Sequence, residues 1–305
     1  MKKRIRNEHS LGRRIWNNRA NYLLMLPFSL LFFFFTILPI CSSIVLSFTG
    51  FDMVQFPSPV GLSNYIRLLL NDETFLICVR NTLVFAFATG PISYIACFLF
   101  AWMINELSPG LRTVMTAIFY APSVSGTLYV IFTWIFSGDM YGMANAFLLQ
   151  LGAINEPIQW LTDANYVLTV VIIVQIWMSL GSGFLAFIAG LQGIDRQLYE
   201  AGAIDGIRNR GQELIHITLP HMGPQLFFAA VMQIGASFSV STVVINLAGF
   251  PSTDYAADTI VTYIMDHAMN RFEMGYASAA AVLLFGLMVG TNALVRKIIG
   301  KIAPS

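Results

Sequence analysis

Six stretches of about twenty residues, none holding an Asp, Glu, Lys, Arg or His, constrain this chain more than any other feature. They run Tyr22–Phe48, Thr82–Ile104, Val114–Phe136, Val167–Ile188, Leu226–Leu247 and Met274–Val295. An α-helix of about 20 apolar residues spans the roughly 30 Å hydrocarbon core of a bilayer, and only helices or closed barrels satisfy their backbone there. Of the 305 residues, 56% are apolar and 11% charged, against roughly 25% charged in a soluble domain. Such a chain cannot cover its own surface in water. The expectation is an all-α integral membrane protein of six transmembrane helices, which excludes a cytosolic enzyme, a nucleic-acid binder and a disordered protein.

The charges that remain set an orientation. Seven of the 17 basic residues fall in the first 19, from Lys2 to Arg19, and Arg296, Lys297 and Lys301 close the chain. With both termini in the cytoplasm, 14 of the 17 lie inside and only Arg67, Arg80 and Arg271 outside, as the positive-inside rule demands. The outer loops then carry 10 of the 16 acidic residues. The first apolar stretch exceeds the 7–15 residues of a secretory h-region and no A-x-A site follows it, so no cleavable signal is expected. No repeat or low-complexity linker divides the chain. The reading is a basic cytoplasmic tail (1–21), one six-span domain (22–300) with a long cytoplasmic loop (192–222), and a short tail (301–305).

What the spans lack narrows the function. Ion-driven carriers bind their coupling ion on ionisable groups at membrane depth, and none is present. No catalytic constellation lies in the spans, and His9, His216, His221 and His267 sit in tails and loops. Cys41, Cys78 and Cys97 have no CxxC spacing and read as small hydrophobes rather than ligands. Neither a catalytic nor a metal site is expected, and without G-x-x-x-x-G-K-S/T the chain has no ATPase motif.

The loop at 192–222 is the exception to short connections. Leu198, Ala201 and Ile204 or Asp205 recur at helical spacing and Gly206 fits a helix stop. A second short helix is expected from about Gln212 to Leu219, before Pro220. Small residues at 201–203 allow close approach of another backbone, and Leu198, Tyr199 and Ile204 offer an apolar footing.

This stretch resembles the E-A-A loop of the permease subunits of bacterial binding-protein-dependent ABC importers. Glu200, Ala201, Gly206, Ile217, Leu219 and Pro220 fill that pattern in order, with Gly202 in place of the second Ala. The interval from Gly206 to Pro220 and the run Asp205-Gly206-Ile207-Arg208-Asn209-Arg210 are similar to those of a sugar-importer subgroup associated with oligosaccharides, although Gly211 stands where that subgroup has Trp. Weaker similarity extends over residues 80–300.

The resemblance implies a type I importer permease fold in the bacterial inner membrane. It also implies a coupling helix seated in a cleft of a separate ATPase. Glu200 would make the key polar contact, Ala201 and Gly202 the close approach and Gly206 the turn, with Leu198, Tyr199, Ile204, Asp205 and Arg210 around them. Expected partners are a second homologous permease chain, two ATPase subunits that bind ATP and Mg, and an extracytoplasmic substrate-binding protein. The cargo would be a sugar, foremost an oligosaccharide. Sugars need hydrogen-bonding groups beside aromatic faces, and Tyr120, Gln175, Trp177, Gln233, Ser237 and Asn246 are the span residues that offer them. Two alternatives stay open: the same importer class with a non-sugar solute, and an ATP-independent channel or carrier.

Overall fold

The computed structural model describes residues 18–125 and 128–302. The basic cluster of the leading tail up to residue 17 and the closing residues 303–305 lie outside the described residues. The first helix, α1 (Arg19–Leu46), begins three residues inside the expected tail. None of its most apolar window is buried; Leu24 is 80% and Phe35 78% exposed. A surface of that kind is stable only with lipid as solvent. Midway, the helix widens to a π turn at Phe33–Ile37, just ahead of Pro39. Proline cannot donate to the carbonyl four residues back and crowds it, and the wider turn relieves both.

A two-residue antiparallel ladder, β1 (Thr49–Gly50) on β2 (Ser58–Pro59), turns the chain. The short helix α2 (Ser63–Ile66) follows, and then the long helix α3 (Glu73–Asn105). Asp72 caps α3, its Oδ1 accepting from the Phe75 amide at 2.9 Å. At 33 residues and 1.5 Å per residue, α3 is about 50 Å long, longer than the roughly 30 Å hydrocarbon core of a bilayer. It forms the spine of the molecule. Next come α4 (Pro109–Val124), α5 (Tyr129–Ile135), α6 (Met143–Gln150), α7 (Val167–Met178) and α8 (Ser182–Gln192). The loop helices are α9 (Arg196–Ile204) and α10 (Arg210–Glu213), succeeded by α11 (Gly223–Phe238), α12 (Thr242–Ala248), α13 (Ile260–Met265) and α14 (Met274–Ile302).

Among the described residues five helical runs are long and apolar enough to cross a membrane, and a bent pair brings the number to six. Three of the six are not the continuous helices the sequence led us to expect. The axes of α4 and α5 differ by 84°, α7 and α8 part at residues 179–181, and α11 and α12 part at 239–241. Each break falls where hydroxyl-bearing and small residues gather. The Ser179 hydroxyl returns to the Gln175 carbonyl at 2.7 Å, which competes with helix continuation, and Gly181 leaves the helical region at φ −116°, ψ −136°. Groups freed by the breaks are met from neighbours. The Cys97 thiol donates to the Ser179 carbonyl at 3.7 Å, and Thr259 Oγ1 donates to the Val240 carbonyl at 2.7 Å.

Among the described residues three apolar clusters hold the bundle on the spine. Cys97, Phe98, Ala101 and Ile104 of α3 pack on Phe184 and Phe187 of α8 and Leu226 of α11. Phe75 and Cys78, at the other end, pack on Ile260, Tyr263 and Tyr276. Phe85 packs on Val170, Val171 and Val174 of α7 and Val244 of α12. Around the Phe75 end a polar knot joins four elements. Asp72 accepts from the phenols of Tyr263 and Tyr276, His267 bonds Glu273 at 2.8 Å, and Arg67 pairs with Glu273 at 3.2 Å while lying 4.1 Å over the Tyr276 ring.

Candidate functional site

At the end of the bundle remote from that knot, the loop folds into a compact module. Asp195 caps α9, accepting from the Gln197 amide at 3.0 Å. The far end closes with a Schellman arrangement: Ile207 N–H reaches the Gly202 carbonyl at 2.9 Å and Gly206 N–H the Ala203 carbonyl at 3.4 Å. Gly206 holds φ +95° to do so, a left-handed conformation that favours glycine. α9 is thereby a short rigid rod.

Its two faces differ. Glu200, Ala201, Ala203 and Asp205 are exposed, Leu198 is exposed at its edge, and Ile204 is 88% exposed. Tyr199 is half-buried, with its phenol 3.0 Å from Thr218 Oγ1. Gly202 is buried. The expectation that Gly202 makes a close approach to another protein is corrected here. A Cβ at that position would stand 2.7 Å from Ile217 Cδ1 and 3.0 Å from Ile207 Cδ1, so the missing side chain makes room for the module's own isoleucines. Ala201 and Ala203 are the small residues presented outward.

The segment after α9 also differs from the single helix expected over 212–219. α10 is followed by a π turn at Leu214–Thr218 and a last turn at Leu219–His221 that runs through Pro220. This is the second π turn directly ahead of a proline, with the same cause as at Pro39. Asn209 caps α10, accepting from the Gln212 amide at 2.8 Å.

Arg210 turns back toward the bundle rather than standing free. Its guanidinium pairs with Glu213 at 2.7 Å and with Glu106 at 3.0 Å; the hydrogen bond it donates to Glu213 and the charge of Glu106 raise its pKa further. Glu106 lies in the link between α3 and α4, where Arg112 Nη2 donates to the Asn105 carbonyl at 2.7 Å and the Leu107 carbonyl at 3.2 Å. Module and link enclose a cavity of about 680 Å³ whose lining includes Trp102, Glu106, Arg112, Tyr199, Glu200 and Arg210. The sequence reading missed Glu106, Arg112, Ile207 and Thr218. A lone acid in the nine residues between the second and third apolar stretches, opposite a loop rich in arginine, was the available signal for Glu106.

The six span residues put forward for a sugar path do not line one cavity. Ser237 is 2% exposed and donates to the Gln233 carbonyl at 2.8 Å while meeting Thr89 of α3 at 3.3 Å. Ser237 thus joins α11 to α3 and, together with Gln233, borders an apolar groove of about 480 Å³ between α3, α11 and α14. Gln233 carries a buried Nε2 that has no hydrogen-bond partner. Trp177 is exposed on α7, edge-on to Phe132 at 5.2 Å. Gln175 and Tyr120 are half-buried on α7 and α4, and Asn246 is exposed on α12, bonded to its own Thr242 carbonyl at 2.7 Å.

No family model matches the chain. Solved structures of a bacterial ABC transporter that imports the acidic polysaccharide alginate superpose with TM-scores of 0.74 and 0.75 at 24% identity, covering 96% and 95% of this chain and 99% of that one. Over 285 residues the chain is 32% identical to the probable ABC transporter permease protein YesP of Bacillus subtilis and 30% identical to the arabinooligosaccharide transport permease AraP of the same organism. These alignments cover 92% of this chain and 89% and 88% of the relatives. The lactose transport permease LacF of Rhizobium radiobacter is 31% identical over 86% of this chain and 87% of its own length. A multi-pass bundle with a capped loop helix, aligned with the first two of these relatives over 92% of its length, belongs to the permease subunits of ABC transporters.

Proposed function

We propose that this permease forms half of the translocation path of an ATP-driven sugar importer in a bacterial cytoplasmic membrane, with an oligosaccharide as cargo. The observation that carries the reading is α9: a rod capped at both ends, braced from behind, with Ala201, Ala203 and Ile204 exposed and Glu200 exposed beside the cavity. Such a rod fits a cleft of a separate ATPase subunit. Two ATPase subunits that bind ATP and Mg close on one another, α9 moves with them, and the spans rock between inward- and outward-open states. A second, homologous permease chain completes the path. Both termini and the 192–222 loop face the cytoplasm, and the acidic outer loops receive a binding protein carrying the sugar. Supporting the cargo are the saccharides in the names of AraP, LacF and the alginate importer and spans that offer Gln175, Trp177, Gln233 and Asn246 but no charge.

The test is co-purification of the tagged chain in mild detergent, wild type beside Glu200→Lys, followed by uptake in proteoliposomes over a panel of oligosaccharides. An ATPase retained by wild type and depleted about tenfold or more in the variant (roughly 1.4 kcal/mol) is the expected result. Wild type that carries no ATPase, or uptake that needs none, removes the ATP-driven reading.

A further inference from the structure

The cavity between the loop module and the α3–α4 link poses a mechanical problem. α9 is fixed to its own module by the Ile207 and Ile217 side chains around Gly202 and by the Tyr199–Thr218 bond. The module continues by peptide bonds into α8 on one side and α11 on the other, so its displacement reaches those helices directly. α4 has no such connection, and open space of about 680 Å³ separates its leading end from the module. Arg210 reaches across that space. Its partner, Glu106, sits in a link that Arg112 clamps to the start of α4 through the Asn105 and Leu107 carbonyls.

We propose that Glu106 and Arg210 are positioning residues, a strap that makes the α3–α4 link, and through Arg112 the broken α4–α5 span, follow the loop module. The inference rests on reading that module as the ATPase-coupling element. Both side chains are largely solvated, 64% exposed for Arg210 and 44% for Glu106. A pair of this kind shifts an equilibrium by up to about fivefold. That suits a contact remade in every cycle. Glu213 holds the guanidinium from the other side, so Arg210 is aimed before it meets Glu106.

The experiment compares Glu106→Arg, Arg210→Glu and the double exchange in the reconstituted transporter, each in a Glu213→Gln background so that an acid at position 210 meets no second acid, scoring substrate moved per ATP hydrolysed. Each single variant is expected to lower that ratio about two- to fivefold, and the exchange to restore it to within about twofold, a rescue that loss of fold would not permit. Single variants with an unchanged ratio overturn the strap, as does an exchange that fails to rescue. Arg210→Glu that sheds the ATPase regardless of position 106 assigns Arg210 to the ATPase instead. If wild type carries no ATPase, the coupling reading fails separately. Hydrogen exchange on the chain alone then decides the strap: Arg210→Gln should speed exchange at the Glu106 and Leu107 amides about two- to fivefold, and unchanged exchange overturns it.

Discussion

Gly202 within α9 and Gly206 just past its end lack side chains for different reasons. At Gly206 the backbone decides: a φ of +95° costs an L-residue about 1–2 kcal/mol. Gly206→Ala should fray the end of α9 and raise the exchange rate of the Ile207 amide about five- to thirtyfold by hydrogen-exchange mass spectrometry. At Gly202 space decides. Alanine gains about 0.5–1 kcal/mol of helix propensity but must displace two isoleucine methyls, an overpacking cost of about 1–3 kcal/mol. Gly202→Ala is therefore expected within about 2 kcal/mol of wild type in thermal unfolding, whereas Gly202→Leu should displace α9 and lose the ATPase in pull-down. The sequence made these glycines visible as part of one pattern. It could not separate them, because the face on which Gly202 lies depends on Ile217, fifteen residues further on. Glu106 and Arg210, over a hundred positions apart, were out of reach of any local reading for the same reason.

For whole elements, hydropathy located the spans well and their interiors poorly. A window average registers that Val167–Ile188 is apolar throughout; it is blind to a hydroxyl at Ser179 that takes its own helix's carbonyl and to a glycine at 181 that leaves the helix. The polar knot beyond the spans shows the same limit. Asp72, Tyr263, His267, Glu273 and Tyr276 read as ordinary loop and helix-end residues until α3, α13 and α14 are brought together. Burial pushes the pKa of His267 below 6.5, against the pull of Glu273. Burial alone would raise that of Asp72, but hydrogen bonds from Tyr263, the Phe75 amide and Tyr276 hold it below 3.8. Both signs agree. As pH falls below about 6.5 the unfolded chain takes up a proton that buried His267 refuses, and below about 4 the same holds for Asp72. The melting temperature in detergent should fall on acidification in two stages, and Tyr263→Phe should weaken the lower one. A flat profile between pH 7 and 4 would contradict this account.

On the scale of the whole molecule, α1 is the element least supported by its own chain. None of its residues is buried, and only its Leu38–Leu46 portion packs against α14. Co-expression with a partner permease should therefore stabilise the chain, by about 2.7 kcal/mol at a hundredfold excess over Kd, read as a higher unfolding midpoint than either chain has alone. The bare spans carry a further consequence, an electrical one. A charge moved across the membrane field exchanges about 2.3 kcal/mol per 100 mV. Rocking helices whose membrane-depth residues hold no ionisable group moves none of it. Uptake of a neutral sugar through this chain should run at the same rate whether a potassium–valinomycin gradient polarises the liposome inward, outward or not at all, leaving the cell free to import while its voltage rises and falls.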